Sequence, residues 1–196
     1  MEGAFEVCIL AGGLSERMGR DKARLRLGRW TLLGRVRVVA KELGVPVRVV
    51  RRDLVPRCGP LGGVYTGLKT TRAEAVLFLS CDMPFVSTEL LEQLRDRFAA
   101  GRRGVFVEAG GVVGFPFLLP TSALEKVAVQ LAAQRHSLQA LARGLRAVRL
   151  RLGQGAAEQL FNVNTPDDFA RAQMRWREGL RGGTGRQRAR AAADCR

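Results

Sequence analysis

The stretch Leu10-Ala11-Gly12-Gly13-Leu14-Ser15-Glu16-Arg17-Met18-Gly19-Arg20-Asp21-Lys22 follows directly on an apolar run, Phe5–Leu10. That run reads as a buried strand. The paired glycines open a loop, because residues without a Cβ admit positive φ and bring amide groups close to a ligand. Successive amides aimed into one concavity form an anion nest. Arg17 offers a planar fork for phosphate oxygens, and Lys22 a compact, mobile charge. A strand ending in such a loop is built to hold a polyphosphate; the competing reading is an ordinary glycine-rich turn with solvated charges. Neither of two familiar phosphate motifs fits. A P-loop runs Gly-x-x-x-x-Gly-Lys-Ser/Thr, whereas here five residues separate Gly13 from Gly19 and Arg20 follows. The dinucleotide fingerprint, Gly-x-Gly-x-x-Gly, has no adjacent glycines.

The chain has 196 residues, 46% of them hydrophobic, which suits one domain with a substantial core. The expected division is a single domain over residues 1–180 and a basic, disordered tail over 181–196, low in large apolar side chains. No apolar stretch reaches the roughly 20 residues that cross a bilayer, and Met1-Glu-Gly-Ala lacks the basic start of a signal peptide. Cys8, Cys58, Cys81 and Cys195 show no Cys-x-x-Cys spacing, against both a zinc site and a disulfide framework. A reducing, cytoplasmic location is the simplest expectation. The formal charge of +15 raises nucleic acid as a partner. Much of that excess lies after Arg171, and one Tyr and two Trp leave little for base stacking. No membrane and no specific nucleic acid are therefore expected. A basic nucleic-acid-binding protein remains the alternative of another class, with binding that falls steeply with salt.

Further along, Gly28-Arg29 reads as a turn, and Thr31 begins a helix to about Leu43 with Leu32, Val36, Val39, Ala40 and Leu43 on one face. Val45–Val50 is a strand. The loop Asp53-Leu-Val-Pro-Arg-Cys-Gly-Pro-Leu-Gly-Gly63 leads into a helix from about Gly62 to Thr70, and its glycines leave room for a flat ring. A plain strand-to-helix connection is the alternative. Ala75–Ser80 is apolar enough for a central parallel strand. It delivers Cys81-Asp82-Met83-Pro84-Phe85 at its carboxyl end, where open α/β sheets bind ligands. Asp82 is thereby expected near the Leu10–Lys22 loop, as a ligand for Mg²⁺ or as a local cap. Cys81 reads as a small buried neighbour rather than a nucleophile. Ser87–Ala100 is a helix stopped by Gly101, and Gly104–Ala109 with Val112–Leu119 reads as a hairpin insertion that walls the second-substrate side. Ser122-x-x-Glu125 is a capping box opening a helix to about Gln134. Ser137–Ala142 is a short helix, His136 a loop residue, and Ala147–Leu152 a strand. In Phe161-Asn-Val-Asn-Thr-Pro-Asp-Asp168, helix initiation explains Thr165, Pro166 and the acidic pair, with the helix running from Asp167 to near Glu178. It does not explain two asparagines spaced to present alternate faces.

Leu-Ala-Gly-Gly-x-Ser-x-Arg-Met-Gly-x-Asp-Lys resembles the signature of nucleotidyltransferases that make nucleotide-activated sugars and cofactors. Within them the chain is most similar to the molybdenum cofactor guanylyltransferases of the MobA type, in four blocks over about residues 5–170. The resemblance implies a three-layer Rossmann-like α/β sandwich of the nucleotide-diphospho-sugar transferase kind, its sheet mostly parallel. It implies transfer of GMP from GTP to the phosphate of molybdopterin or molybdenum-molybdopterin, with release of pyrophosphate and Mg²⁺ as cofactor. Proteins that donate or accept the cofactor are further partners that it suggests. Carried over residue by residue, Arg17, Lys22 and Asp82 are catalytic, and Asp82 holds the metal. Leu10, Ala11, Gly12, Gly13, Lys22, Asp53, Gly59, Gly62 and Asp82 bind GTP. Asn162 and Asn164 lie on the acceptor side. One departure stands out: Val50-Arg51-Arg52-Asp53 offers no counterpart to an Asn that helps bind GTP in the family. Cytidylyltransferases for the same cofactor are the alternative within the class, but they usually carry Leu-Ala-Ala-Gly at the first block.

Overall fold

Alternate side chains of a strand point to opposite faces, so a run that is apolar throughout needs cover on both sides. The computed structural model describes residues 5–12 and 22–182. Two runs that are apolar but for Glu6 and Ser80, β1 (Phe5–Leu10) and β5 (Ala75–Ser80), lie side by side inside its main sheet. Apart from these, the first half holds β2 (Arg26–Leu27), β3 (Trp30–Thr31), α1 (Leu32–Lys41), β4 (Val47–Val50) and α2 (Pro60–Thr70). The second half holds α3 (Thr88–Gly101), β6 (Val105–Ala109), β7 (Val112–Pro120), α4 (Leu124–Ala132), α5 (Leu138–Gly144), β8 (Val148–Arg151), α6 (Gln154–Ala157) and α7 (Pro166–Gly182). The main sheet has six strands in the order β4-β1-β5-β7-β6-β8. β1 pairs in parallel with β4 and β5, as β6 does with β8; β7 alone runs against its neighbours. The expected α/β sandwich with a mostly parallel sheet is the fold observed.

The pleat sorts the core into two layers. Val7, Ile9, Leu77 and Leu79 face Val36, Ala40, Leu90 and Leu94 of α1 and α3. Cys8, Val76, Phe78 and Phe117 face Leu61, Val64, Val127 and Leu141 of α2, α4 and α5. In the second layer the Phe106 and Phe117 rings stack at 4.5 Å, and each buried ring contributes roughly 1.5–3 kcal/mol relative to exposure. α2 lies so close to the sheet that a Cβ on Gly67 would come within 2.5 Å of Phe78 Cε1 and 3.2 Å of Cys8 Sγ. Gly67→Ala is expected to destabilise the protein by about 1–3 kcal/mol through overpacking. A lowered urea midpoint checks this; an unchanged midpoint would mean that Phe78 has room to retreat. The Cys8 thiol itself is pushed up to about 12 by burial, which keeps it unreactive.

Three local expectations are corrected. The hairpin is no insertion. β7 buries Phe117, Leu118 and Leu119 and pairs with β5 as well as β6, so it forms the middle of the sheet. The Ser122–Glu125 capping box does not form. Thr121 donates its N–H to the Glu74 carbonyl (2.8 Å) and its hydroxyl to that of Ala73 (2.6 Å), and the chain then winds through a 3-10 turn, Thr121–Ala123, into α4. Ser122 therefore lies inside an already helical turn. α3 includes Gly101 and ends one residue later, with Arg102 left-handed at φ 51°. α7 reaches Gly182, and the remainder of the expected tail lies outside the described residues.

Candidate functional site

Parallel neighbours end on the same edge of a sheet, and backbone hydrogen bonds tie three of these ends together. Ala11 donates its N–H to the Val50 carbonyl (2.8 Å), and Cys81 donates to the Leu10 carbonyl (3.1 Å). The first glycine loop thus leaves the sheet between the chain that leads to Asp53 and the chain that carries Asp82. Leu10, Ala11 and Gly12 are described; Gly13, Arg17 and the Lys22 side chain lie outside the described residues. The Lys22 backbone opens a 3-10 turn, Lys22–Arg24, whose Ala23 is buried in the core.

On the β4 side, absent side chains let the backbone close in around Asp53. A Cβ on Gly12 would stand 2.9 Å from the Arg51 carbonyl oxygen and 3.7 Å from Asp53 Oδ1. One on Gly62 would stand 2.6 Å from the Val55 carbonyl oxygen and 3.1 Å from Asp53 Oδ2, and one on Gly63 3.4 Å from Asp53 Oδ1. The Asp53 carboxylate therefore lies between the first glycine loop and the first turn of α2, which Gly59 and Pro60 open. Thr66 pins it there by accepting from the Leu54 N–H (2.9 Å) and donating to the Gly62 carbonyl (2.8 Å). Among the described residues no donor reaches the Asp53 carboxylate, and burial raises its pKa above the ordinary value. Arg51 and Arg52 are exposed beside it.

Asp82 follows β5 by two residues. Ser80 donates its hydroxyl to Asp82 Oδ1 (2.5 Å), and Val163 donates its N–H to the Asp82 carbonyl (2.9 Å). The second contact brings the Asn162–Asn164 segment against the Asp82 loop across about eighty residues of sequence. Val163 is buried while Asn162 and Asn164 are both exposed, so the asparagines share one outward face rather than alternate ones. Their backbone is held by a reciprocal cap. Asp168 accepts from the N–H groups of Asn164 (3.0 Å) and Thr165 (2.9 Å), and the Thr165 hydroxyl accepts from the Asp168 N–H (3.1 Å). Its ion pair with Arg171, reinforced by the amide bonds, holds the Asp168 carboxyl down at about 2. A depressed carboxyl contributes its stability above the ordinary Asp range and loses it as pH falls through the folded value. The start of α7 is thus expected to loosen progressively as pH falls from the ordinary Asp range to about 2, checked by amide exchange at Asn164 and Thr165.

The structure brings together Leu10, Gly12, Asp53, Gly62, Asp82 and the Asn162–Asn164 segment. Gly59 faces open space at the head of α2, and Cys81 is buried as expected. Ser80, Thr66 and the Val163 amide are the supports that sequence reasoning missed. Ser80 alone left a trace, as the one polar residue of an apolar strand.

A family model described as the MobA-like NTP transferase domain matches residues 7–152. The chain belongs to the MobA-like NTP transferase family. This transferase is 32% identical over 194 residues to the probable molybdenum cofactor guanylyltransferase of Opitutus terrae, covering 88% of the present chain and 96% of the relative. It is 31% identical over 188 residues to the molybdenum cofactor guanylyltransferase of Pseudomonas entomophila, covering 85% and 98%. Among solved structures it resembles the molybdopterin-guanine dinucleotide biosynthesis protein A of Archaeoglobus fulgidus, with a TM-score of 0.71 and 21% identity over 88% of this chain and 99% of that one. The 2-C-methyl-D-erythritol 4-phosphate cytidylyltransferase of Thermus thermophilus shares the fold with a TM-score of 0.66 and 18% identity, over 90% and 100% of the chains. The transferase is thus a nucleotidyltransferase enzyme. Among its described residues no helix is long and apolar enough to cross a membrane.

Proposed function

We propose that this enzyme transfers GMP from GTP to the phosphate of molybdopterin or its molybdenum form, releasing pyrophosphate and leaving a guanine dinucleotide cofactor. The observation that carries this reading is the junction of Leu10, Asp53, Asp82 and Val163 at one end of the sheet. Asp53 takes the guanine edge: an ionised carboxylate accepts from two adjacent N–H donors, and the open space at Gly59, rather than the closely packed Gly12 and Gly62, admits the flat ring. With the Ala11 N–H taken by the Val50 carbonyl and Leu10 inside the sheet, the Gly12 and Gly13 amides are left to hold phosphate oxygens, Arg17 takes the leaving pyrophosphate, and Lys22 takes the α-phosphate. Asn162 and Asn164 orient the acceptor phosphate, which is already ionised and requires no general base. Catalysis is alignment plus neutralised charge.

The donor set around Asp82 fits Mg²⁺. Among the described residues no three His, Cys, Asp or Glu side chains gather, and a single carboxylate suits an ion that keeps its waters and shares phosphates. Bound at Asp82, Mg²⁺ would neutralise phosphate charge during the displacement. Ser80 orients that carboxylate, and Val163 fixes its backbone. Cys8, Cys58 and Cys81 are buried as thiols rather than disulfides, which suits a reducing cytoplasm. Proteins that deliver or receive the cofactor are proposed partners.

The test is turnover of molybdopterin with Mg²⁺ and either GTP or CTP. Guanylyl transfer requires GTP to be the faster donor, and faster use of CTP would reject it. Asp53→Asn is expected to weaken GTP binding about tenfold or more, the loss of charge-assisted hydrogen bonds. Wild-type affinity should also fall as pH drops through the raised Asp53 pKa, because the protonated group no longer accepts both donors. The stability sign is opposite. A raised carboxyl favours folding below its ordinary range and loses that contribution as pH rises through the folded value. At neutral pH the Asn variant should therefore melt no lower than wild type; a lower melting point together with unchanged GTP affinity would make Asp53 structural.

A further inference from the structure

Three elements that hold the site converge on one indole. Trp176, half-buried on α7, lies against the turn between β2 and β3: Gly28 has φ +67°, and a Cβ there would come within 2.9 Å of Trp176 Nε1. On Trp176 rests the guanidinium of Arg35 from α1, its Cζ 3.9 Å from the ring centroid. Arg35 also donates from Nε to the carbonyl of Pro84 (3.4 Å), in the loop that carries Asp82. Around this stack, Leu27, Leu32, Val163 and Ala172 form a small buried cluster of their own, with Phe85, Phe161 and Phe169 packed on it.

The connections have a direction. The β2–β3 turn is the first hairpin after the Leu10–Lys22 loop. Pro84 lies two residues beyond Asp82, and Val163, which holds the Asp82 carbonyl, belongs to the segment that starts α7. A planar cation can stack on a ring while its edge still donates, so Arg35 serves two partners at once. The Asp82 loop is thereby gripped at two carbonyls, Asp82 by Val163 and Pro84 by Arg35.

We propose that Arg35 and Trp176 are positioning residues that set the Asp82 carboxylate for the metal–triphosphate, acting through Pro84 and the small hairpin rather than by touching substrate. This rests on the reading of Asp82 as the metal ligand. Losing the stack frees the Pro84 end of the loop, so the carboxylate spends less time where a divalent ion can share it with phosphate.

The experiment measures equilibrium binding of GTP by calorimetry over a Mn²⁺ or Mg²⁺ series, beside turnover and melting curves. Its variants are Trp176→Leu, Trp176→Phe, Arg35→Met and Asp82→Asn. Trp176→Leu and Arg35→Met are each expected to raise the metal concentration for half-maximal GTP binding about three- to tenfold, on the scale of a partly desolvated cation–π pair. GTP binding without metal should stay unchanged, and Trp176→Phe, which keeps a ring face, should stay within about twofold of wild type. A metal titration of Trp176→Leu and Arg35→Met that superposes on wild type, while Asp82→Asn shifts, would overturn the positioning role alone. Equal shifts in the Phe and Leu variants would also overturn it, since packing volume and not the stacked cation would then be responsible. An unshifted Asp82→Asn titration would instead remove the metal reading on which the proposal rests.

Discussion

Lys22→Ala is expected to lower kcat by about 10²–10⁴-fold while GTP affinity falls less than about tenfold, because its contact strengthens as charge moves on the α-phosphate. The backbone at this position is anchored, since Lys22 opens the turn whose Ala23 is buried in the core. Truncation at Lys22 should thus remove a charge and leave the loop's exit in place. A compact ammonium on a flexible stem can follow a phosphate through the displacement in a way that a fixed hydrogen bond cannot. Steady-state kinetics with GTP varied at saturating acceptor check the split between kcat and KM. A raised KM with kcat unchanged would make Lys22 a ground-state binding group, and no change in either would remove it from the reaction.

The second large effect is expected at Asp82. Asp82→Asn should cut turnover by about 10²–10³-fold, a loss of the size seen when one electrostatic contact to the reacting group is removed. It should also raise the Mg²⁺ concentration needed for half-maximal rate. The substitution is close to isosteric. The Asp82 carbonyl keeps its bond from Val163, and an amide oxygen can still accept from Ser80, so the loop should hold its shape. What disappears is the negative charge that a hard cation shares with phosphate oxygens. Rate against Mg²⁺ at fixed GTP is the measurement, with a melting curve to confirm the fold; an unaltered titration would assign Asp82 to loop capping only. The two variants should fail differently, Lys22→Ala insensitive to added metal and Asp82→Asn partly restored by it.

Sequence alone determined more of this protein than local rules usually allow. Phe5–Leu10 and Ala75–Ser80 are apolar at every position or nearly so, and only a strand covered on both faces accommodates that, so the central parallel pair was legible at once. The carboxyl end of that pair then had to hold both the Leu10–Lys22 loop and Asp82. Gly28-Arg29 and Thr31 marked a turn and a helix start for equally local reasons, since each depends on the conformation of a few adjacent residues.

What tertiary structure decided are matters of partnership, which neighbouring residues in sequence do not carry. Ser122 and Glu125 satisfy the letter of a capping box, yet bonds from Thr121 to Ala73 and Glu74 wind the chain before a cap is needed. The β6–β7 hairpin became the middle of the sheet because β7 buries large side chains on both faces and so requires β5 as a second neighbour. The Asp53 carboxylate acquired its raised pKa only when α2 folded against the first glycine loop and took water from it. The amide of Val163 reached Asp82, and Arg35 met Trp176, because long loops close at an entropy cost that grows slowly with length and a shared apolar cluster repays it.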